Sequence, residues 1–118
     1  MVGELSLRAR VYAIVRLIPV GCVVSYGDIA GMLGMSPRMV GRYLALGDEA
    51  DLPFWRVVNA AGELPGHVRE HALGHWEYEG LALKPNERGV PMSRYRADLA
   101  HLADAAEALL GPLPGVSG

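Results

Sequence analysis

The run Ser25-Tyr26-Gly27-Asp28-Ile29-Ala30-Gly31-Met32-Leu33-Gly34-Met35-Ser36-Pro37-Arg38-Met39-Val40-Gly41-Arg42-Tyr43-Leu44-Ala45-Leu46-Gly47 holds two short helices and the turn between them. Ser25 offers an N-cap, and Asp28 three residues on makes the Asp form of a capping box. Gly34 supplies a left-handed stop. Ser36 and Pro37 restart a helix at once, with Ser at the cap and Pro in the first turn. That helix ends at Gly47. Two helices separated by Gly34-Met35-Ser36 are a helix-turn-helix signature. The first helix carries apolar Ile29, Ala30 and Leu33; the second carries Met39, Val40, Tyr43 and Leu44. Arg38 and Arg42 remain, one turn apart on a shared outer face. A nucleic-acid-binding helix-turn-helix presents side chains from this part of its second helix. Two solvated arginines on a plain helical hairpin fit the spacing equally well.

Working outward, Leu7, Val11, Ile14 and Ile18 recur at three- and four-residue spacing, predicting a helix over Leu5 to Ile18 that Pro19 and Gly21 end. Val23-Val24 is a short β-branched piece, and residues 48–52 form an acidic loop. Beyond it, Pro53-Phe54-Trp55-Arg56-Val57-Val58 is aromatic and β-rich, and Asn59 to Gly62 reads as a turn. Val57-Val58 and Glu63-Leu64 are therefore expected to pair as a hairpin. A helix is expected from Gly66 or His67 through Glu79, stopped by Gly80. Leu81 to Pro91 reads as a loop. A last helix, capped by Ser93, is expected to reach Leu110 with Leu99, Leu102, Ala106 and Leu109 inward. The expected architecture is mainly α: a winged helix-turn-helix domain with a short β-hairpin wing over residues 1–111, and a flexible tail over 112–118.

A chain of 118 residues, 51% apolar and 20% charged, suits one globular domain. Its one cysteine, Cys22, excludes an intramolecular disulfide and a multi-cysteine zinc site. No apolar run approaches the roughly 20 residues of a membrane span. No secretory signal is visible, so a cytoplasmic monomer is expected. The net charge of -2 hides an asymmetry: residues 1–47 carry five arginines against Glu4 and Asp28, while residues 48–64 carry Arg56 against four acidic groups. The N-terminal half therefore favours an anionic partner.

Three constellations have a chemical and a plain reading. His67, His71 and His75 stand four apart, with Glu79 continuing the row; a shared metal is the chemical reading and an amphipathic helix the favoured one. Cys22 has no basic neighbour in sequence to lower its pKa, so it reads as a small apolar residue. Phe54-Trp55 after Pro53 serves a core, or a pocket wall that stacks on a flat ring.

The stretch Ile18-Pro19-Val20-Gly21-Cys22-Val23-Val24-Ser25-Tyr26-Gly27-Asp28-Ile29-Ala30 resembles the "IPxGxVxSYGxIA" opening of the O6-alkylguanine-DNA alkyltransferase C-terminal domain. Arg38-Met39-Val40-Gly41 resembles that family's "RxVG" recognition-helix motif. Pro53 to Gly62 resembles its "PCHRVxxxxG" active-site segment, and Glu79-Gly80 its "LxxEG" helix end. The four motifs are collinear over Leu5 to Leu83. One departure matters most: the acceptor cysteine and the histidine that deprotonates it are Phe54 and Trp55 here. A phenyl ring and an indole supply neither nucleophile nor base. Glu79, at the position that orients the histidine, loses that task.

The chain thus resembles the alkyltransferase-like proteins, which bind alkylated guanine without repairing it. The resemblance implies a non-enzymatic protein with no catalytic residue, metal or cofactor. Its implied partners are double-stranded DNA containing O6-alkylguanine and the proteins of nucleotide excision repair, with the protein on the nucleoid when bound. The implied DNA-binding residues are Ser25, Tyr26, Arg38 and Arg42. Arg38 would enter the base stack from the minor groove, with Arg42 the alternative. The implied pocket for the flipped base is Tyr26, Phe54, Trp55, Arg56 and Val57, tolerant of bulky alkyl groups. The other readings are a sequence-specific winged-helix regulator and a suicide transferase using Cys22.

Overall fold

Ser6 opens the first helix of the computed structural model, α1 (Leu7–Leu17), its hydroxyl accepting from the Ala9 N–H at 3.1 Å. The structure describes residues 5–47, 49 and 51–116; expectations that touch residues 1–4, 48, 50, 117 and 118 lie outside them. Val11, Tyr12, Ile14 and Val15 are buried, while Leu7 is 43% exposed, so the inward stripe of α1 starts one turn later than its spacing predicts. After α1 come β1 (Val24–Ser25), α2 (Tyr26–Leu33), α3 (Pro37–Leu46), a 3-10 turn (Phe54–Arg56), β2 (Val57–Val58), α4 (Gly66–Tyr78), the single-turn α5 (Met92–Tyr95) and α6 (Leu99–Leu110).

The helix-turn-helix forms through the expected caps. The Ser25 hydroxyl accepts from the Asp28 N–H at 3.0 Å, and Asp28 Oδ2 accepts from the Ser25 N–H at 2.8 Å. Such a cap contributes about 1 kcal/mol. Gly34 closes α2 at φ 67°, where a Cβ would be strained. Ser36 then caps α3, accepting from the Met39 N–H at 3.3 Å. Tyr12 donates to the Tyr43 carbonyl at 2.7 Å, tying the C-terminal half of α3 to α1.

The strands differ from expectation. Val57-Val58 does not pair with Glu63-Leu64. It runs parallel to β1, with Val24 opposite Val57 and Ser25 opposite Val58. Glu63 instead bridges to Gly89. The β-hairpin wing is thereby replaced by a two-stranded parallel sheet and a 59–64 turn closed by the Asn59 N–H to Glu63 carbonyl bond of 2.9 Å. The reason is burial on both faces, the usual condition for parallel strands. Val24 and Val57 join the apolar cluster of α1, α2 and α6, whereas Val23 and Val58 join a second cluster with Ala72 and Trp76 of α4. Successive strand residues point to opposite faces, so this short β-branched pair stitches two cores together.

The C-terminal expectations are also corrected. Ser93 lies inside α5 and caps nothing; Asp98 caps α6, accepting from the His101 N–H at 3.1 Å. Leu102, Ala103 and Ala106 are its buried residues, while Leu109 is 61% exposed. The tail is packed as far as Gly115: Leu113 is fully buried in the first cluster, and the Gly115 N–H donates to the Met32 carbonyl of α2 at 3.0 Å. No helix among the described residues is long and apolar enough to cross a membrane.

Candidate nucleic-acid interface

Behind α3 lies a cavity of about 470 Å³. Its walls are Gly41, Leu44 and Ala45 of α3, Tyr26 of α2, Phe54, the Leu64-Pro65 corner, and His67, Val68 and His71 of α4. It adjoins an outer cleft of about 800 Å³ that shares Tyr26, Gly41, Leu64 and Pro65 with it and reaches Pro37 and Arg38. Helix α3 therefore walls one side of a mainly apolar pocket that opens to solvent past His67 and His71, and Arg38 lines the adjoining cleft. Tyr26, at the first position of α2, borders both spaces; burial pushes its phenol above the ordinary value, so it is neutral at physiological pH.

The 3-10 turn that carries Phe54 is held from several sides. Trp76, 1% exposed, donates its indole N–H to the Trp55 carbonyl at 2.7 Å. Trp55 stacks face to face on His75, centroids 3.6 Å apart and planes 5° from parallel. Phe54 meets Trp55 edge-on at 5.4 Å. Such aromatic pairs contribute about 0.5–1.5 kcal/mol beyond their buried area.

Glu79 is the anchor. Its side chain is 4% exposed and accepts the Trp55 indole N–H at 2.6 Å, the Arg56 guanidinium at 2.8 Å and the Gly21 N–H at 2.9 Å. Arg56 also donates to the Ile18 carbonyl at 3.1 Å. Burial pushes the Glu79 carboxyl up, but the bonds from Arg56, Gly21 and Trp55 outweigh it and hold the carboxyl below its ordinary value. With no histidine to orient, Glu79 takes the indole N–H of Trp55 instead, and the carboxylate joins the turn before β1 to the turn before β2.

The sequence-derived residues thus divide. Tyr26 and Phe54 line the cavity. Trp55 borders a neighbouring hollow with Leu52 and His75, outside the cavity lining. Arg56 turns toward Glu79, and Val57 is fully buried in β2, so neither lines the cavity. Ser25 is 6% exposed, with its hydroxyl engaged in the cap. Arg38 and Arg42 are both exposed on α3, but only Arg38 lines the outer cleft. Among the described residues no group of three or more His, Cys, Asp or Glu could hold a metal. The histidine row instead divides between the cavity (His67, His71) and the Trp55 stack (His75). Cys22 packs against the first cluster and does not line the cavity. The sequence reading missed Leu64-Pro65, which carries no chemical signal. It read the His67–His71 spacing as one face of an amphipathic helix, without joining that face to the pocket that both residues line.

A helix-turn-helix whose second helix walls a pocket, with an arginine on the adjoining cleft, suits a nucleic-acid partner. The sequence model of the family described as "6-O-methylguanine DNA methyltransferase, DNA binding domain" matches residues 6–83. The chain belongs to that family, and within it to the alkyltransferase-like proteins. A DNA base-flipping protein of Thermus thermophilus is 42% identical over 81 residues, 66% of this chain and 55% of the relative, so the match spans about half the relative's length. A DNA base-flipping protein of Vibrio parahaemolyticus is 38% identical over 91 residues, covering 74% of this chain and 91% of that one. Among solved structures, S. pombe Atl1 in complex with damaged DNA containing O6-carboxymethylguanine aligns with a TM-score of 0.68 and 28% identity, over 77% of this chain and 94% of that chain.

Proposed function

We propose that the protein recognises O6-alkylguanine in double-stranded DNA, holds the flipped base behind α3, and does not repair it. The observation that carries this reading is Phe54 in the cavity wall: the position that a transferase gives to its sulfur presents a phenyl ring to the chamber. Alkyl transfer needs a thiolate and a base to form it. Trp55, at the base's position, offers only an indole N–H, already given to Glu79. The one cysteine, Cys22, lies outside the cavity lining. The relatives named for base flipping and the Atl1 complex with damaged DNA support the same reading.

In this reading α3 lies in the minor groove. Arg38 takes the space of the extruded nucleotide, where a planar guanidinium stacks and donates at once. Arg38 borders the cleft that leads to the cavity and Arg42 does not, which favours Arg38 for the task. Tyr26 presses on the extruded nucleotide. Extrusion costs a few kcal/mol, less for a poorly paired base. Aromatic stacking returns about 1–3 kcal/mol per base, so Arg38 and the fit of the alkyl group decide the balance. A chamber walled mainly by apolar side chains suits alkyl groups of different size. Because the bound lesion is left intact, another system has to remove it, and nucleotide excision repair is the route this reading assigns.

Fluorescence anisotropy with a duplex holding one O6-methylguanine and its undamaged match tests the reading. Tighter binding to the lesion is expected, with no methyl mass added to the protein after incubation. Equal affinity for the two duplexes, or a methyl adduct, overturns it.

A further inference from the structure

The outer cleft has a second cationic wall. Besides Arg38, it is lined by Arg69 of α4 and by Arg88 of the loop between α4 and α5. Arg88 lies beyond residue 83, where the family match ends. Its loop is fastened to the 59–64 turn. Val90 N–H donates to the Gly62 carbonyl at 2.9 Å, Lys84 N–H to the Gly89 carbonyl at 2.8 Å, and the Arg88 N–H to Asn86 Oδ1 at 2.9 Å. Gly89 sits so close to that turn that a Cβ would fall 2.0 Å from the Gly62 carbonyl oxygen. The backbone that carries Arg88 is thus fixed before any partner arrives.

The charge of the cleft follows from who pairs with whom. Its one carboxylate, Glu63, already accepts from Lys84 Nζ at 2.9 Å and from Asn86 Nδ2 at 3.0 Å. Arg69 gives one N–H to the Leu64 carbonyl at 3.2 Å, which orients its guanidinium and leaves further donors. Arg38 and Arg88 make no salt bridge with the described residues, although the charge of Arg88 reaches Glu63 and helps, after Asn86 and Lys84, to hold its carboxyl below the ordinary value. Three arginines on three separate elements thus line one open cleft, beside the N-terminus of α3, whose helix dipole adds to the positive field.

We propose that Arg88 and Arg69 each bind a backbone phosphate of the DNA duplex, on the cleft that Arg38 also lines. The inference rests on the DNA-binding reading above and adds residues to it. Planar guanidinium forks suit phosphate oxygens, and a loop locked in advance loses little freedom on contact. These contacts read no base, so they strengthen binding to damaged and undamaged duplex alike. Each phosphate contact adds about 0.9 to the slope of log affinity against log salt, or about a 3.5-fold change between 50 and 200 mM salt.

The test measures binding of the full chain to the O6-methylguanine duplex and to its undamaged match at several salt concentrations. The proteins are wild type, Arg88→Gln, Arg69→Gln, and Arg88→Lys, which keeps the charge. Arg88→Gln and Arg69→Gln are expected to weaken both duplexes by the same factor and to lower the salt slope by about 0.9 each, with Arg88→Lys restoring the slope. Unfolding midpoints equal to wild type show that the fold is intact. Wild-type affinity and slope in both Gln variants overturn the phosphate site, even if lesion preference persists. A lowered slope in a protein with no lesion preference keeps the site and overturns lesion recognition instead.

Discussion

Glu79 receives a guanidinium, an indole N–H and a backbone N–H on one buried carboxylate. Removing its charge strands Arg56, itself 13% exposed at the side chain. Glu79→Gln is expected to cost about 3–5 kcal/mol in urea unfolding at pH 7, the range for breaking a buried pair from one side. The pH dependence has a definite sign. The folded carboxyl lies below its ordinary value, so its stabilisation is complete above the unfolded pKa of about 4.3 and is lost as pH falls through the folded value. The gap between wild type and Glu79→Gln should therefore narrow between pH 5 and pH 3, and a gap that stays constant contradicts the role given to Glu79. The same geometry predicts what restores chemistry. Phe54→Cys supplies a sulfur but no base. Phe54→Cys with Trp55→His puts an imidazole where the indole N–H now meets Glu79 at 2.6 Å. Only the double variant is expected to gain a methyl mass rapidly from O6-methylguanine DNA; equal rates in the single variant would falsify the account of Trp55.

At the level of elements, what could be read from sequence was what short-range chemistry controls. Ser25 with Asp28, Gly34, Ser36-Pro37 and Gly47 act within four residues of themselves, and all four helix ends fall where they predict. The parallel pairing of Val24 with Val57 depends on two cores meeting at one sheet, and no local signal distinguishes that from a hairpin. Trp55 and Glu79 lie 24 residues apart, so the motif order marked both positions without showing that they bond to each other. The stretch 112–118 reads as a flexible tail, yet Leu113, between Pro112 and Pro114, is fully buried. A Cβ on Gly115 would stand 1.5 Å from the Gly31 carbonyl oxygen, so the tail lies directly on α2. Leu113→Ala is expected to cost about 2–5 kcal/mol, against at most about 0.5 kcal/mol for exposed Leu109→Ala. Thermal unfolding of the two variants decides it: equal midpoints would mean that the tail does not brace the helix-turn-helix.

For the whole molecule, a net charge of -2 conceals how the fold sorts its ions. Arg16 pairs with Glu49 and Asp51, Arg96 with Asp28, Arg56 with Glu79, and Lys84 with Glu63. These pairs span 21 to 68 residues of sequence, so the acidic groups are neutralised by the fold rather than by their neighbours. Arg38 and Arg42 on α3 make no ion pair with the described residues, which leaves the exposed face of the second helix positive in a chain whose net charge alone suggests no such face. Their roles should separate by salt and by lesion. An arginine that only meets phosphate weakens every duplex alike and lowers the salt slope by about 0.9. An arginine that fills the base stack changes the cost of extrusion, so it also alters the ratio between damaged and undamaged DNA. Arg38→Ala is therefore expected to reduce lesion binding by about tenfold or more and to shrink that ratio, a loss on the order of 1.4 kcal/mol. Arg42→Ala should leave the ratio unchanged at every salt concentration. If Arg42→Ala shrinks the ratio and Arg38→Ala does not, the intercalating arginine sits one turn further along α3.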